Sequence, residues 1–576
     1  MKKIIIKTVL GLSCTTLIAS CSLDETNYSS VTSDNYITSE TQYEELVAAA
    51  YMYMRPLCQK QNCMWYGTDD YTTQGLISGE NGIQDYYYIS SSDASFYDYW
   101  SANYDVINKC NTAMTEGENL TLTDVTRASR TAEMLTLRSY CYFNLLVTFG
   151  GVPLTLKETE EPTYEYERNT EEEVYDQIIN DLETSIPSLP TSLASADFGR
   201  VDKAMAEHLL GKILLTRSYQ SYATSNDITN AIAYFKDVID LHPMVSSWDI
   251  LFNTQDGGGY NATNTEVIFA VRFGEGTNSY WNYEDNEEST SSSGLYQHFK
   301  FFITNFPGNE NRGYPYYRSD DSYQPSLAWM QSFETTDNRI SETYFKRTII
   351  AGQAESVVNA TTGKTITFSK NDEIIYFPVT AMDNTEKEAY MTKHPTIYLI
   401  INPDEYHTQQ PLGSNDTAWP LVYKFYDPYI GKMDIYAGSV SDGEDGQGAR
   451  EIYIYRTAET KLLLAEAYLK NSDEANALTQ VNDIRERAGA TILSNVDIDD
   501  ILDESGRELF GESNRWMDLK RTGKLFERAY KYNEYVKLNQ TSGLSGMNTN
   551  YLLRPIPLTE RQRTNYSLEQ NPGYDE

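Results

Sequence analysis

The strongest constraint on this chain is a helical period that keeps returning in neighbouring segments. Residues 131–149 place Met134, Leu137, Cys141 and Leu145 at i, i+3, i+7 and i+11, one apolar face of a helix, and Gly150-Gly151 stops it. Val152-Pro153-Leu154 then leads away extended. Residues 170–185 and 202–219 form a second helical unit around a turn that contains proline and serine, and Ile228 to Leu241 begins a third. Earlier, Glu40 to Met54 carries Leu46, Ala49, Ala50 and Tyr53 on one face, and Tyr97 to Met114 carries Trp100, Tyr104, Ile107 and Ala113. Near the end, residues 455–470 align Ala458, Leu462, Ala465 and Leu469, and residues 473–488 supply the partner helix. A helix with one apolar stripe must cover it with a neighbour, and stacked pairs do so unit by unit. The expected fold is mainly α, a helical-repeat scaffold.

Ala231, Phe235 and Pro243 match the closing part of a tetratricopeptide repeat, which makes that scaffold tetratricopeptide-like. Residues 245–450 differ in character. They hold Gly257-Gly258-Gly259, the serine-rich run Ser289 to Ser293, many turn residues and only short apolar runs such as Val267 to Val271. The division expected is an N-terminal helical scaffold at 34–244, a large irregular, loop-rich ligand-binding region at 245–450, and a C-terminal helical part at 451–576. Residues 56–95, rich in Gly, Ser, Asp and Tyr without sustained period, read as a further long loop at the ligand site. Loops on a rigid scaffold are where recognition is normally placed.

The first twenty residues combine Lys2, Lys3 and Lys7 with a short apolar run and end Ile18-Ala19-Ser20 before Cys21. That is a secretory signal, too short in its apolar part to span a hydrocarbon core ~30 Å thick. Small residues directly before a cysteine mark lipoprotein processing, so the mature chain is expected to start at a lipidated Cys21. Residues 21–33 then form a flexible tether. The formal charge of −37 argues against nucleic acid, whose binders carry a basic patch. Cys110 and Cys141 lie in helical segments and read as buried core residues, while Cys58 and Cys63 are close enough in sequence for a bridge. Five histidines without ligand spacing make a zinc site improbable, and Asp442-Gly443-Glu444-Asp445 lacks the rest of a calcium loop. No cofactor and no metal are expected.

Seven stretches in order make the chain resemble the SusD/RagB family of outer-membrane nutrient-binding lipoproteins. They are Cys21-Ser22-Leu23-Asp24-Glu25; Leu137 to Phe143 with Phe149-Gly150-Gly151-Val152-Pro153-Leu154; Tyr455 to Glu459; Ala465-Glu466-Ala467-Tyr468; Asn482 to Gly489; Arg507-Glu508-Leu509 with Arg515 to Arg521; and Pro555-Ile556-Pro557 with Gln570 to Tyr574. Thr457, Cys141 and Gly506 depart from the family's usual residues. Arg456 with Glu459, and Arg515 with Asp518, lie one helical turn apart and read as buried ion pairs and caps. The resemblance implies a lipid-anchored, surface-exposed protein that binds a neutral polysaccharide or oligosaccharide without catalysis. It also implies delivery of that glycan to a partner SusC-like TonB-dependent transporter in the outer membrane.

The family's ligand residues vary too much to transfer by motif, so the candidates rest on chemistry. Pyranose C–H faces stack on aromatic rings while hydroxyls need hydrogen-bond partners, and the 47 tyrosines offer both. Trp65 and Tyr66 with Asp69 and Asp70 form one cluster, read as an exposed-loop indole beside carboxylates. Trp281 and Tyr283 form another, and Arg312, Tyr316 and Tyr317 a third, in which arginine donates paired hydrogen bonds. Tyr86-Tyr87-Tyr88 is a fourth, weaker candidate, since a strand would turn alternate rings inward. A peptide-binding relative and a surface glycoside hydrolase are the competing readings. The latter needs two carboxylates roughly 5–10 Å apart across a cleft.

Overall fold

A computed structural model describes residues 37–72, 82–159, 164–252, 264–273, 307–308, 324–340, 344–359, 362–406, 419–425, 451–512, 514–541 and 547–574. Helices form where an apolar stripe coincides with a start signal. Helix α1 (Glu40–Gln59) opens at Ser39, whose hydroxyl accepts the Gln42 amide at 3.3 Å. After the short α2 (Asn62–Trp65), Asp93 caps α3 (Ala94–Asn119) and Thr123 caps α4 (Asp124–Phe149). A reciprocal pair, Thr170 and Glu173, starts α5 (Glu171–Ser185), and Asp202 caps α6 (Lys203–Arg217). Helix α7 (Asp227–Leu241) closes the N-terminal set. The stop after α4 is steric as well as conformational. Gly150 has φ +78°, and a Cβ on Gly151 would lie 2.0 Å from the Asn169 carbonyl oxygen.

Each helix covers its stripe with the next: α1 packs on α3, α3 on α4, α4 on α5, and α6 on α7. In the last pair, Phe235 presses so closely on Gly211 that a Cβ there would sit 2.7 Å from its ring. The tetratricopeptide-like residues Ala231 and Phe235 are both fully buried. The C-terminal helices α11 (Thr457–Lys470) and α12 (Glu474–Arg487) continue the same stack, α11 lying against α7 as well as α12. The expected mainly α, tetratricopeptide-like scaffold is therefore what the chain builds.

Between these sets lie α8 (Trp248–Phe252), α9 (Leu327–Met330), α10 (Asn384–Lys393) and short strands. Ladders tie this stretch to the scaffold at two places. Strand β1 (Tyr71–Thr72) pairs with β3 (Gln324–Pro325), and β2 (Val267–Val271) pairs antiparallel with β11 (Ile452–Arg456). A small separate core gathers Ile349, Phe368, Ile375, Tyr398 and Trp419 around a three-stranded sheet of β5 (Thr348–Ile350), β8 (Glu373–Tyr376) and β9 (Leu399–Ile400). After α12 follow α13 (Ile498–Leu509), α14 (Arg515–Arg521), α15 (Leu525–Tyr532), α16 (Glu534–Thr541) and α17 (Leu558–Arg563). Among the described residues no helix is long and apolar enough to cross a membrane.

One expectation is corrected here, and one alternative left open is decided. Arg456 and Glu459 are buried ions, as are Arg515 and Asp518, but neither couple pairs internally. Arg456 ends β11 and reaches Glu266, Glu508 and Glu512 at 2.9, 2.6 and 2.5 Å, whereas Glu459 points from α11 to Lys212 at 2.6 Å. Asp518 takes Arg521, leaving Arg515 for other acids. Second, Cys58 and Cys63 are free thiols, because α1 extends through Gln59 and buries Cys58 while α2 turns Cys63 to the Ser95 carbonyl. Burial pushes both thiols, and those of Cys110 and Cys141, well above the ordinary thiol range. In a titration with Ellman's reagent, none of the four is expected to react in the native protein, and all four after denaturation.

Candidate functional site

Trp65 and Tyr66 do not stand on an exposed loop. They are 4% and 5% exposed, and the Trp65 ring stacks on Tyr71 at 5.4 Å. Tyr71 continues onto Phe510 at 4.6 Å and Phe510 onto Trp329 at 4.0 Å, so four rings form a pile inside the protein. Gly67, with φ +75°, turns the chain inward under the Ile83 carbonyl, where a Cβ would come within 2.7 Å. These rings spend their faces on one another and leave none for a sugar. The assignment of Trp65, Tyr66 and Asp69 as ligand-contacting residues is thus corrected.

Asp69 is 2% exposed and lies between two arginines. Arg515 donates two hydrogen bonds of 2.8 Å, one to each carboxylate oxygen, and Arg528 adds a third at 2.6 Å. Burial alone would raise its pKa, yet the two guanidinium groups hold it down to about 2. Asp70 next door behaves oppositely. Burial, reinforced by the Asp69 charge, outweighs Arg515 at 3.1 Å and raises it to about 7. Its carboxylate lies so close to α13 that a Cβ on Gly506 would sit 2.9 Å from Oδ2, which accounts for a glycine at that position. The backbone of the segment is equally tied. Asn533 donates to the carbonyls of Thr68 and Tyr71, Arg554 to those of Cys63 and Tyr66, and Ser326 to that of Asp69.

This foundation carries the Tyr86–Tyr88 turn, the weakest of the expected clusters. Tyr86 is fully buried, and its hydroxyl donates to the Gly67 carbonyl at 2.7 Å. Its ring meets Phe526 edge-on at 5.6 Å and lies over Tyr551 at 6.1 Å. The Tyr87 amide donates to the Asp85 carboxylate at 3.0 Å. The strand alternation expected here is not what forms: Tyr86 is buried while Tyr88, its alternate, faces out. Tyr86 and Tyr88 both adopt positive φ, +61° and +29°, a costly conformation for aromatic residues. The result is that Tyr88 is 65% exposed above a buried, packed base.

One helical turn beyond Phe526, Tyr530 of α15 is 44% exposed, and Asn548 and Asn550 are exposed just before Tyr551. Ring faces, phenolic hydroxyls and side-chain amides are what a neutral polyhydroxylated ligand needs, stacking below and donors and acceptors at the rim. Trp281, Tyr283, Arg312, Tyr316 and Tyr317 lie outside the described residues, as do Cys21 and the Asp442 to Asp445 run. Thr72 and Gln324 are register partners in the β1–β3 ladder, next to Asp69 and Asp70 in the chain. Among the described residues no group of three or more His, Cys, Asp or Glu is arranged to hold a metal ion.

The sequence profile of the SusD family matches residues 265–574, and a second profile, described as starch-binding associating with outer membrane, matches residues 23–215. A "SusD-like protein" of Bacteroides ovatus is 25% identical over 556 residues, spanning 90% of this chain and 83% of that protein. Among solved structures, a SusD homologue from Bacteroides thetaiotaomicron superposes with a TM-score of 0.66 at 18% identity, covering 94% of this chain and 98% of that one. Surface glycan-binding protein A from Bacteroides thetaiotaomicron, solved in complex with laminarihexaose, superposes with a TM-score of 0.62 at 19% identity, covering 93% and 100%.

Proposed function

Because this chain belongs to the SusD family, we propose that it is a non-catalytic, cell-surface glycan-binding lipoprotein of the outer membrane, anchored through lipid on Cys21. It captures neutral polysaccharide fragments on the Tyr88 face and delivers them to a SusC-like TonB-dependent transporter. The observation that carries the reading is Tyr88: an aromatic ring 65% exposed, presented by a left-handed turn above packed rings. An outward aromatic face on a packed base suits a stacking pyranose. Trp281, Tyr283, Arg312, Tyr316 and Tyr317 complete the ligand contacts in this reading, within a loop-rich recognition region at 245–450. The laminarihexaose complex of a protein with the same fold makes laminarin the first probe.

Calorimetry on the soluble chain from Ser22 onward, with laminarin and a panel of other neutral polysaccharides, tests the proposal. Tyr88→Ala is expected to weaken binding of whichever glycan the wild type takes by about tenfold, roughly 1.4 kcal/mol, without moving the melting temperature. Trp281→Ala is expected to weaken it comparably. Tight peptide binding with no glycan bound would refute the reading. Release of reducing sugar during incubation would place the protein among glycoside hydrolases instead.

A further inference from the structure

A second set of tyrosines lies on the scaffold where the C-terminal helix meets α3. Tyr566 follows α17 and is 51% exposed; Tyr164 is 61% exposed; Tyr97 of α3 is half-buried. The C-terminal strap ties together the stretches that carry Tyr164 and Tyr566. Ser567 donates to the Tyr166 carbonyl at 3.0 Å, and Arg168 reaches the Glu569 carbonyl and Asn571 at 2.9 Å each. At the other end, the Leu558 amide donates to the Ser91 carbonyl at 2.9 Å, three residues along from Tyr88.

Two details separate these rings from tyrosines that merely face water. Asn565 and Tyr566 are consecutive residues with positive φ, +50° and +62°, so outward presentation of the Tyr566 ring is imposed against backbone preference. The ring is also backed. The guanidinium of Arg561, itself 4% exposed, lies 5.1 Å from the centroid, and Arg561 donates to the Leu568 carbonyl. One aromatic face is therefore spoken for, and the solvent-exposed ring cannot fold back into the core. Tyr97 is braced in the same way, with Arg563 5.2 Å over its ring and donating to its hydroxyl at 3.0 Å.

The surrounding charge selects the ligand. Arg563 is paired with Glu560 at 2.8 Å and Arg168 is spent on carbonyls, while Glu165 and Glu167 are exposed on either side of Tyr166. Such a surface repels acidic sugars and accepts hydrogen bonds from neutral hydroxyls.

We propose that Tyr97, Tyr164 and Tyr566, with Arg563, form an accessory contact surface for neutral glycan, engaged by the same long chain that binds at Tyr88. It rests on the glycan-binding reading and extends it: the preferred ligand is a polymer, held at two places and gaining by effective concentration. Affinity electrophoresis in gels containing laminarin, or the neutral polysaccharide of the panel that retains the wild type best, tests this. The Tyr164→Ala/Tyr566→Ala double variant is expected to bind the polymer three- to tenfold more weakly than wild type, while its calorimetric affinity for a hexasaccharide of the same glycan falls less than twofold. Tyr566→Phe should retain wild-type mobility.

Equal retention of wild type and double variant overturns the proposal and leaves the glycan-binding reading intact. Failure of the wild type to be retained by any neutral polysaccharide overturns both. Unchanged retention together with lost co-purification of the transporter would make the patch a protein interface, which also overturns it. As a check on the unmutated protein, tetranitromethane nitration of Tyr164 and Tyr566, read by mass spectrometry, is expected to fall when the polymer is present; no protection counts against the proposal.

Discussion

Asp69→Asn is expected to destabilise the protein by about 3–5 kcal/mol at neutral pH, while Asp70→Asn, one residue along, is expected to be nearly neutral. Both side chains are buried, so burial does not separate them. The partners do. Removing the Asp69 charge takes from Arg515 its two-point partner, leaving it Asp70 at 3.1 Å, and strips Arg528 of its buried acid, leaving it the more exposed Asp499 and Asp503. Asp70 is already held near half-protonation at pH 7, so an amide replaces what is partly a neutral acid. The pH dependence runs in opposite directions. Asp69, held at about 2, contributes stability that is present above its unfolded value of ~3.9 and is lost as pH falls through about 2. Asp70, raised to about 7, favours the folded state below ~3.9 and withdraws that support as pH rises toward 7. Denaturant unfolding between pH 2 and 8 measures both. Equal losses for the two variants at pH 8 would contradict the assignment.

Arg456→Ala is expected to cost about as much, again 3–5 kcal/mol near neutral pH, because Glu266, Glu508 and Glu512 share that one guanidinium. Each has other help. Arg487 pairs with Glu266 and Glu508, Arg339 reaches Glu508 at 3.0 Å, and Lys424 reaches Glu512 at 2.6 Å. The fully buried Lys424 ammonium, packed among Tyr344, Phe252 and Phe425, is itself brought down to about 8 by burial, so it is a poor substitute for a permanent charge. Against burial, Arg487, Arg456 and Arg339 hold Glu508 at about 2 in the intact protein. Without Arg456 the carboxylates can relax by taking up protons. The gap between variant and wild type should therefore narrow as pH drops from 7 toward 4.5. A gap that stayed constant over that range would show that lost packing, not lost charge, sets the cost.

The helices were legible because period, caps and stops are local. Thr170 with Glu173, or Gly150-Gly151 after Phe149, carries its meaning within a few residues. What the sequence misassigned was exposure. Residues 65–70 have the composition of an open loop, and nothing nearby says that Arg515, Arg528, Asn533 and Arg554 will neutralise and satisfy them. A signal did exist: the arginine-rich stretch from Arg515 onward needed acids, and the Asp69-Asp70 pair, read as ligand carboxylates, supplies them. The Tyr86–Tyr88 turn was ranked last because period-2 alternation implies a strand, and left-handed backbone at tyrosine has no local signature. Tyr164 and Tyr566 gave no signal, since their proximity depends on contacts about 400 residues apart, such as Tyr166 with Ser567.

That same separation governs the order in which the molecule can be assembled. The Arg515–Asp69 contact spans 446 residues and the Arg528–Asp69 contact 459. A chain emerging from its amino end therefore makes Asp69 early and its counter-charges almost last. Until then this acid must stay hydrated, and the segment bearing Trp65 and the tyrosine turn cannot be sealed. Closing so large a loop carries an entropic cost and makes folding slow. Truncation anywhere before Arg528 should thus yield a chain whose amino-terminal helices form but whose Asp69 segment stays open. The contacts that hold Trp65 and the tyrosine turn in place are among the last the chain can make.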